Sequence, residues 1–414
     1  MTVTSTPPPG VRHLAVTLYG YAFLTDFVLL YPFYVLLFTD TGLSVGQVSS
    51  LFVIWSVTGL VLEVPSGAWA DAVSRRLLLV LAPLLPATAF CLWLLAPSYP
   101  VFAVGFVLWG AGGALRSGAQ EALVFTALDR LGATDRYARL TGRARTAAVL
   151  AAAASGAVAG PVFAVGGYPA VGAASVLTCL LAAAVAVRFP ADRPSDATPA
   201  APTDEDDELG WLAGLRAGLA EARTDRGVRG ALLLVPAVTA IPGALDEYTA
   251  LLARETGVGE ATVPLLLLLL WAGMTVGGLL APVGERLTDR GYAALLGCAA
   301  AALAAGALVG RPAGFLLLAV AFGAFELATV LADVRLQVRI TGPSRATVTS
   351  AAGMLTDLTV IGVYGGYGLV AGTGGNGVAF AVAACPYLAV AGWLLTSRAG
   401  RTRPRPGDRS AVTG

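Results

Sequence analysis

Long apolar runs separated by short polar breaks fill nearly the whole of this 414-residue chain. An α-helix needs roughly 20 apolar residues to cross the hydrocarbon layer of a bilayer. Inside that layer no water satisfies backbone N–H and C=O groups, so only helices and closed barrels can span it. Runs of this length, without the short alternation of barrel strands, restrict the chain to a helical membrane protein. The balance of 56% hydrophobic to 13% charged residues agrees, since soluble domains carry about 25% charge. Reading apolar runs against polar breaks predicts twelve spans. They cover 13–39, 44–70, 77–96, 100–128, 138–165, 168–188, 228–253, 259–285, 291–309, 312–338, 343–371 and 374–397. The expected domains are a six-helix bundle over 1–188, a linker over 189–227, a second six-helix bundle over 228–398 and a tail over 399–414.

All 27 basic residues are arginine, and their placement sets the topology. Arg75, Arg76, the group from Arg130 to Arg145, Arg286, Arg290 and the tail from Arg398 to Arg409 fall in loops on one side. Only Arg254 and Arg311 fall on the other. Basic residues mark the cytoplasmic side of a membrane protein, so both termini are expected inside. The alanine- and arginine-rich composition suggests a bacterial inner-membrane protein. The tail needs no nucleic-acid partner, because anionic lipid suffices to anchor it. In the linker, the acidic run Asp204 to Glu208 precedes Leu209, Leu212, Leu215 and Leu219 with interleaved arginines, the pattern of an amphipathic helix at the membrane surface. Cys91, Cys179, Cys298 and Cys385 lie in four different apolar runs, so a disulfide framework is not expected.

The short polar hinge from Gly67 to Arg76 joins the second and third spans. Glycine lets two helices approach, aspartate accepts hydrogen bonds, and the arginine pair holds the loop at the membrane surface. Gly67, Asp71, Arg75 and Arg76 resemble the loop between helices two and three of the major facilitator superfamily, whose pattern is Gly-x-x-x-Asp-x-x-Gly-Arg-Arg/Lys. Ser74 stands where that pattern has its second glycine, and Ala72 where a basic residue is common. Gly284 to Gly291 is a degraded copy between spans eight and nine. In span five, Gly156, Gly160 and Pro161 look like the Gly-x-x-x-Gly-Pro signature of the drug:proton antiporter branch, where it would act as a helix pivot. Arg116 to Ala122 loosely resembles the fourth-helix motif of the same branch. The resemblance implies an all-α integral membrane fold: twelve transmembrane helices in two six-helix bundles, each a pair of inverted three-helix repeats.

An ionisable group deep in a bilayer costs at least ~2.5 kcal/mol and asks for a reason. Asp26, Glu326 and Asp357 fall near mid-depth, with Arg116 closer to the cytoplasm. The resemblance places spans one, four, seven and ten around a central cavity, so Asp26, Arg116 and Glu326 would line it. Asp26 is expected to share a helical face with Tyr19, Phe23 and Leu30. A carboxylate among aromatic rings suits a cationic or amphipathic ligand and a reversible proton. The alternative is that each acid is half of a fixed ion pair, with Arg116 as the partner. Glu63 and Glu121 are assigned, with Gly67, Asp71, Arg75 and Arg76, to a cytoplasmic gate. Asp246 and Glu247, next to Pro242 and Gly243, are assigned to an outer vestibule or outer gate.

Together these features point to a monomeric secondary active transporter exporting small amphipathic compounds, driven by protons, surrounded by lipid and free of cofactors. Import, lipid translocation, or a receptor or scaffold that binds without transporting are the alternatives. No Gly-x-x-x-x-Gly-Lys loop exists without lysine, a single histidine excludes a zincin motif, and no enzyme activity is expected.

Overall fold

Every regular element is helical in the computed structural model, which describes residues 9–191, 226–339 and 345–396. The linker helix and the arginine-rich tail lie outside the described residues. The first half contains α1 (Pro9–Asp26), α2 (Tyr34–Asp40), α3 (Val45–Ala72), α4 (Arg75–Leu95), α5 (Tyr99–Arg130) and α6 (Tyr137–Ala186). The second half contains α7 (Arg226–Asp246), α8 (Thr249–Glu255), α9 (Val263–Leu279), α10 (Ala281–Gly284) and α11 (Asp289–Leu308). It ends with α12 (Gly314–Arg339), α13 (Arg345–Ala383) and α14 (Cys385–Thr396).

Eight of these helices are long and apolar enough to cross a membrane. Two of the eight, Thr134–Ala186 and Val348–Thr396, hold two crossings each. The doubling turns on glycine: Gly167 at φ 60° and Gly375 at φ 80° reverse the chain in a conformation that side chains with a Cβ avoid. Spans one and seven, each in two pieces, complete the twelve. With an even number of crossings, both ends of the described chain share one face, here the terminal face; the opposite one is the distal face.

The two broken spans correct the sequence reading, which expected one continuous helix in each. In span one the helix stops at Asp26 and resumes at Tyr34. Pro32 supplies the cause, having no N–H to donate and restricting the residue before it. A freed backbone amide inside a membrane needs a partner, and Leu30 N–H finds it in the buried Ser175 hydroxyl of span six at 3.0 Å. Leu30 therefore does not share a helical face with Asp26. Span seven breaks over only two residues, Glu247 and Tyr248, just past Pro242 and Gly243.

Within the first half α1 packs on α6, and α5 on α3 and α4; within the second, α12 packs on α7, α9 and α11. Two seams join the halves, α3 against α13 and α6 against α9. Both seams rely on small residues, which let backbones approach where lipid gives no hydrophobic drive. A Cβ on Gly160 would lie 2.2 Å from the carbonyl oxygen of Ala261, in the Glu260–Thr262 turn that leads into α9, and one on Gly368 would lie 2.8 Å from the Ser49 hydroxyl. Above these seams an aromatic layer fills the distal half of the first bundle: Phe38, Phe52, Trp93, Phe102 and Phe106 have no exposed surface.

Candidate functional site

Asp26 ends α1 and is left half-buried at the break. Its Oδ2 lies 3.8 Å from Arg116 Nη1 of α5, and the two side chains keep 33% and 40% of their surface. At that distance and exposure the pair is loose and open to exchange partners. Beside it a cavity runs between spans one, three, four and six, lined by Tyr21, Thr25, Tyr31, Trp109, Arg116 and Cys179 among others. Tyr31 and Trp109 stack there, with centroids 5.4 Å apart and planes 3° from parallel. Phe23 stacks on Phe27 at 5.4 Å, and Tyr19 is half-buried one turn nearer the terminal face.

The other mid-depth acids stand apart from this pair. Glu326 of α12 faces Gly278 of span eight, and the charged group within its electrostatic reach is Arg145 of span five. Asp357 of α13 is exposed and within reach of Glu63 across the halves. The three acids thus stand in separate groups.

Toward the distal face the halves are bonded to one another. The Tyr34 hydroxyl, at the start of α2, donates to Glu247 Oε2 at the break of span seven. The Ser49 and Tyr248 hydroxyls meet at 2.8 Å. Phe52 packs on Tyr364 at 5.2 Å, and Tyr248 stacks on Tyr367 at 3.7 Å. Asp246 accepts from the Trp271 indole at 3.3 Å. At the rim, Arg254 Nη1 binds Asp40 Oδ1 at 2.5 Å while Nη2 donates to the Thr39 hydroxyl at 2.7 Å. Tyr168 donates to the other oxygen of Asp40. Each hydrogen bond described between the two halves lies in this distal region.

At the terminal face, Arg75 donates to Thr126 at 3.1 Å, Arg76 is half-buried, and Glu63 and Glu121 are exposed. Gly67 and Asp71 lie within the last turns of α3, and the Asp71 side chain is outside the described residues. In the degraded second hinge Asp289 pairs with Arg335 at 3.5 Å, and Arg335 also lies 4.1 Å over the Tyr292 ring. Gly156 packs on Leu268 and Trp271 of span eight, so the glycine pair lies at the seam between halves. Pro161 is exposed, and α6 runs through it to the reversal at Gly167.

Sequence reasoning passed over Tyr34, Asp40, Ser49 and Tyr168. Asp40 ended a span as an ordinary loop acid, and the others sat inside or beside apolar runs. The available signal was Arg254, one of the two arginines on the side where arginine is scarce.

The chain matches the sequence profile of the Major Facilitator Superfamily over residues 16–363. No curated protein sequence matches it. Among solved structures, it is similar to a mutant form of the nucleoside transporter NupG, with a TM-score of 0.73, 11% identity, and 92% of this chain and 99% of that one covered. It is also similar to a bacterial homologue of the human lysosomal transporter Spinster in an inward-facing, unoccupied conformation, with a TM-score of 0.67 and 15% identity over 95% and 96% of the two chains. A D-xylose–proton symporter superposes with a TM-score of 0.62 and 15% identity, covering 93% of this chain and 97% of the other.

Proposed function

The chain belongs to the major facilitator superfamily, and from that premise we propose that it is a proton-driven exporter of small amphipathic organic compounds. It works by alternating access, with the terminal face in the cytoplasm of a bacterium, the chain acting as a monomer, and no cofactor beyond the proton gradient. The observation that carries this reading is the loose Asp26–Arg116 pair at mid-depth beside an aromatic cavity, below a distal layer bonded shut. A solute with a positive charge and a flat apolar body competes with Arg116 for Asp26 and stacks on rings such as those of Tyr31 and Trp109. A proton on Asp26 releases that solute by removing the charge that holds it. Glu326 and Asp357 extend the acidic lining toward the second half. Arg75, Arg76, Asp71, Gly67, Glu63 and Glu121 form the gate that closes when the terminal side seals.

Proton-coupled uptake is the second reading, favoured by likeness to a structure named as a D-xylose–proton symporter. Both readings are tested in proteoliposomes holding an internal pH dye, with ethidium as the first cationic probe. Export predicts that ethidium and protons move in opposite directions, and that Asp26→Asn lowers coupled flux about tenfold or more. Movement in the same direction would make the protein a symporter. Normal proton coupling in the mutant would remove Asp26 from the mechanism, and absence of flux for any solute under any gradient would leave a receptor or scaffold.

A further inference from the structure

The distal layer contains an acid that is hydrogen-bonded across the two halves and has no cation beside it among the described residues. Glu247 stands where α7 has ended and α8 has not begun, so its backbone is held by a turn. Its carboxylate accepts a hydrogen bond from Tyr34, which begins α2 directly after the break of span one. The break of one half is therefore bonded to the break of the other. Tyr34 lies 5% exposed in a cluster of rings with Phe38, Phe52, Trp93, Phe106 and Trp109.

The ionisable groups facing Glu247 are Tyr34 and Tyr31 from span one, Tyr364 from span eleven, and its own neighbours Asp246 and Tyr248. None of these is a cation. The ion pairs among the described residues are Asp26–Arg116, Asp40–Arg254 and Asp289–Arg335, and Glu247 belongs to none of them. An ionised carboxylate in this layer has a phenol as its compensation. Taking an unpaired charge into such surroundings is costly, whereas the neutral acid enters at the cost of a hydrogen-bonded polar group. The neutral acid also keeps its bond to Tyr34, which donates equally to a carboxyl carbonyl oxygen.

We propose that Glu247 is a second proton-carrying residue, one that reports the state of the distal face rather than the solute. With the distal layer apart, water reaches Glu247 and its carboxylate takes up a proton. The neutral acid then packs against Tyr34 as the layer closes. Loss of that proton to water in the cleft leaves an uncompensated charge in the closed layer and drives the distal face open again. The proton goes from water to a carboxylate oxygen and back to water, and the hydroxyl hydrogen of Tyr34 stays on Tyr34. The proposal rests on the transport reading for its use in a cycle, but its physics requires no solute.

The test reads the distal opening directly. Cys91, Cys179, Cys298 and Cys385 are free, so each is first replaced by alanine. Spin labels are then placed at Ala96 and Arg311, exposed positions on the distal loops of opposite halves. Their distance distribution is measured by pulsed electron resonance on the full chain in lipid nanodiscs, at about pH 5 and about pH 9, values that straddle carboxylate titration in buried sites. The open, long-distance fraction is expected to grow at least about threefold at the higher pH. Glu247→Gln, which keeps shape and cannot ionise, is expected to stay closed at both. Tyr34→Phe, which strips the ionised form of its donor, is expected to respond more strongly than the native chain. Asp26→Asn is expected to respond as the native chain does. A native chain indifferent to pH, a Glu247→Gln chain that still responds, or a response abolished by Asp26→Asn would each overturn the proposal. Proton-coupled flux surviving any of those results would leave the transport reading standing. A distal face that responds as expected, in a protein that moves no solute, would overturn that reading alone.

Discussion

The distal pieces of spans one and seven are the same length and hold to the protein in different ways. Tyr34–Asp40 and Thr249–Glu255 are both seven residues, and each ends in an acid. Each acid reaches the residue just after its own half's reversing glycine: Asp40 accepts from Tyr168, and Glu255 accepts from the Asn376 side chain at 2.7 Å. That shared tie fastens a detached piece of helix to its bundle. Asp40 also takes Arg254 from the other half, while Glu255 spends its bonds within its own. One duplicated device thus serves two purposes. In the second half it ties the piece to its own bundle, and in the first it also reaches across to the other half.

The largest expected effect comes from forcing apart a seam between the halves. At Gly160 an added Cβ meets backbone, the Ala261 carbonyl oxygen at 2.2 Å, which cannot swing aside as a side chain would. Gly160→Val should therefore disfavour distal closure by about 2 kcal/mol, roughly thirtyfold in the ratio of closed to open forms. The comparison position is Gly277, where a Cβ would lie 1.9 Å from the Gly323 carbonyl oxygen, inside the second half. Gly277→Val should lower the melting temperature instead. Label distances across the distal face, together with thermal unfolding, separate the two outcomes. A Gly160→Val chain that closes normally would mean that α6 and α9 do not part during the cycle.

A smaller effect is expected from the rim. Arg254→Ala leaves Asp40 with Tyr168 and beside Glu260, but without its cationic partner across the halves. The two side chains of the pair are about a third exposed, so water and salt already weaken it. A loss of about 1 kcal/mol, roughly fivefold in favour of the open form, is the expected size. Raising ionic strength toward about 1 M should reproduce part of that shift in the native chain and none of it in the mutant. Accessibility of a cysteine at Ser49 to a membrane-impermeant reagent measures both. Equal accessibility in native and mutant chains would remove the pair from the gate.

The sequence pattern carried the crossings well because the bilayer imposes a length on every one of them. Even the reversal at Gly167 fell between the expected fifth and sixth spans. The breaks in spans one and seven escaped because an apolar run keeps its composition when its helix stops. Pro32 was the visible sign in one, and Pro242 with Gly243 in the other. The pairing of Asp26 with Arg116 was legible as an alternative, since two opposite charges in one bilayer seek each other. The ties of Tyr34 to Glu247 and Ser49 to Tyr248 join residues about 200 positions apart with no shared period. Nothing local marks a tyrosine in an aromatic run as a donor to a distant acid.

The smallest effect tests the asymmetry itself. Glu255→Gln keeps an amide oxygen that still accepts from Asn376, whose own oxygen is held by Tyr367 at 2.7 Å. If Glu255 serves only its own half, the substitution costs about 0.5–1 kcal/mol of stability through a weaker, uncharged acceptor. The distal opening should then change less than about twofold. Asp40→Asn, its counterpart in span one, should open the distal face about as far as Arg254→Ala does, since both remove the same pair. The combination of Asp40→Asn with Arg254→Ala should add little to either, and Glu255→Gln with Arg254→Ala should behave as the rim mutant alone. A Glu255→Gln chain that opens as readily as Arg254→Ala would show that both acids hold the gate, and the two halves would then be equal partners in closing it.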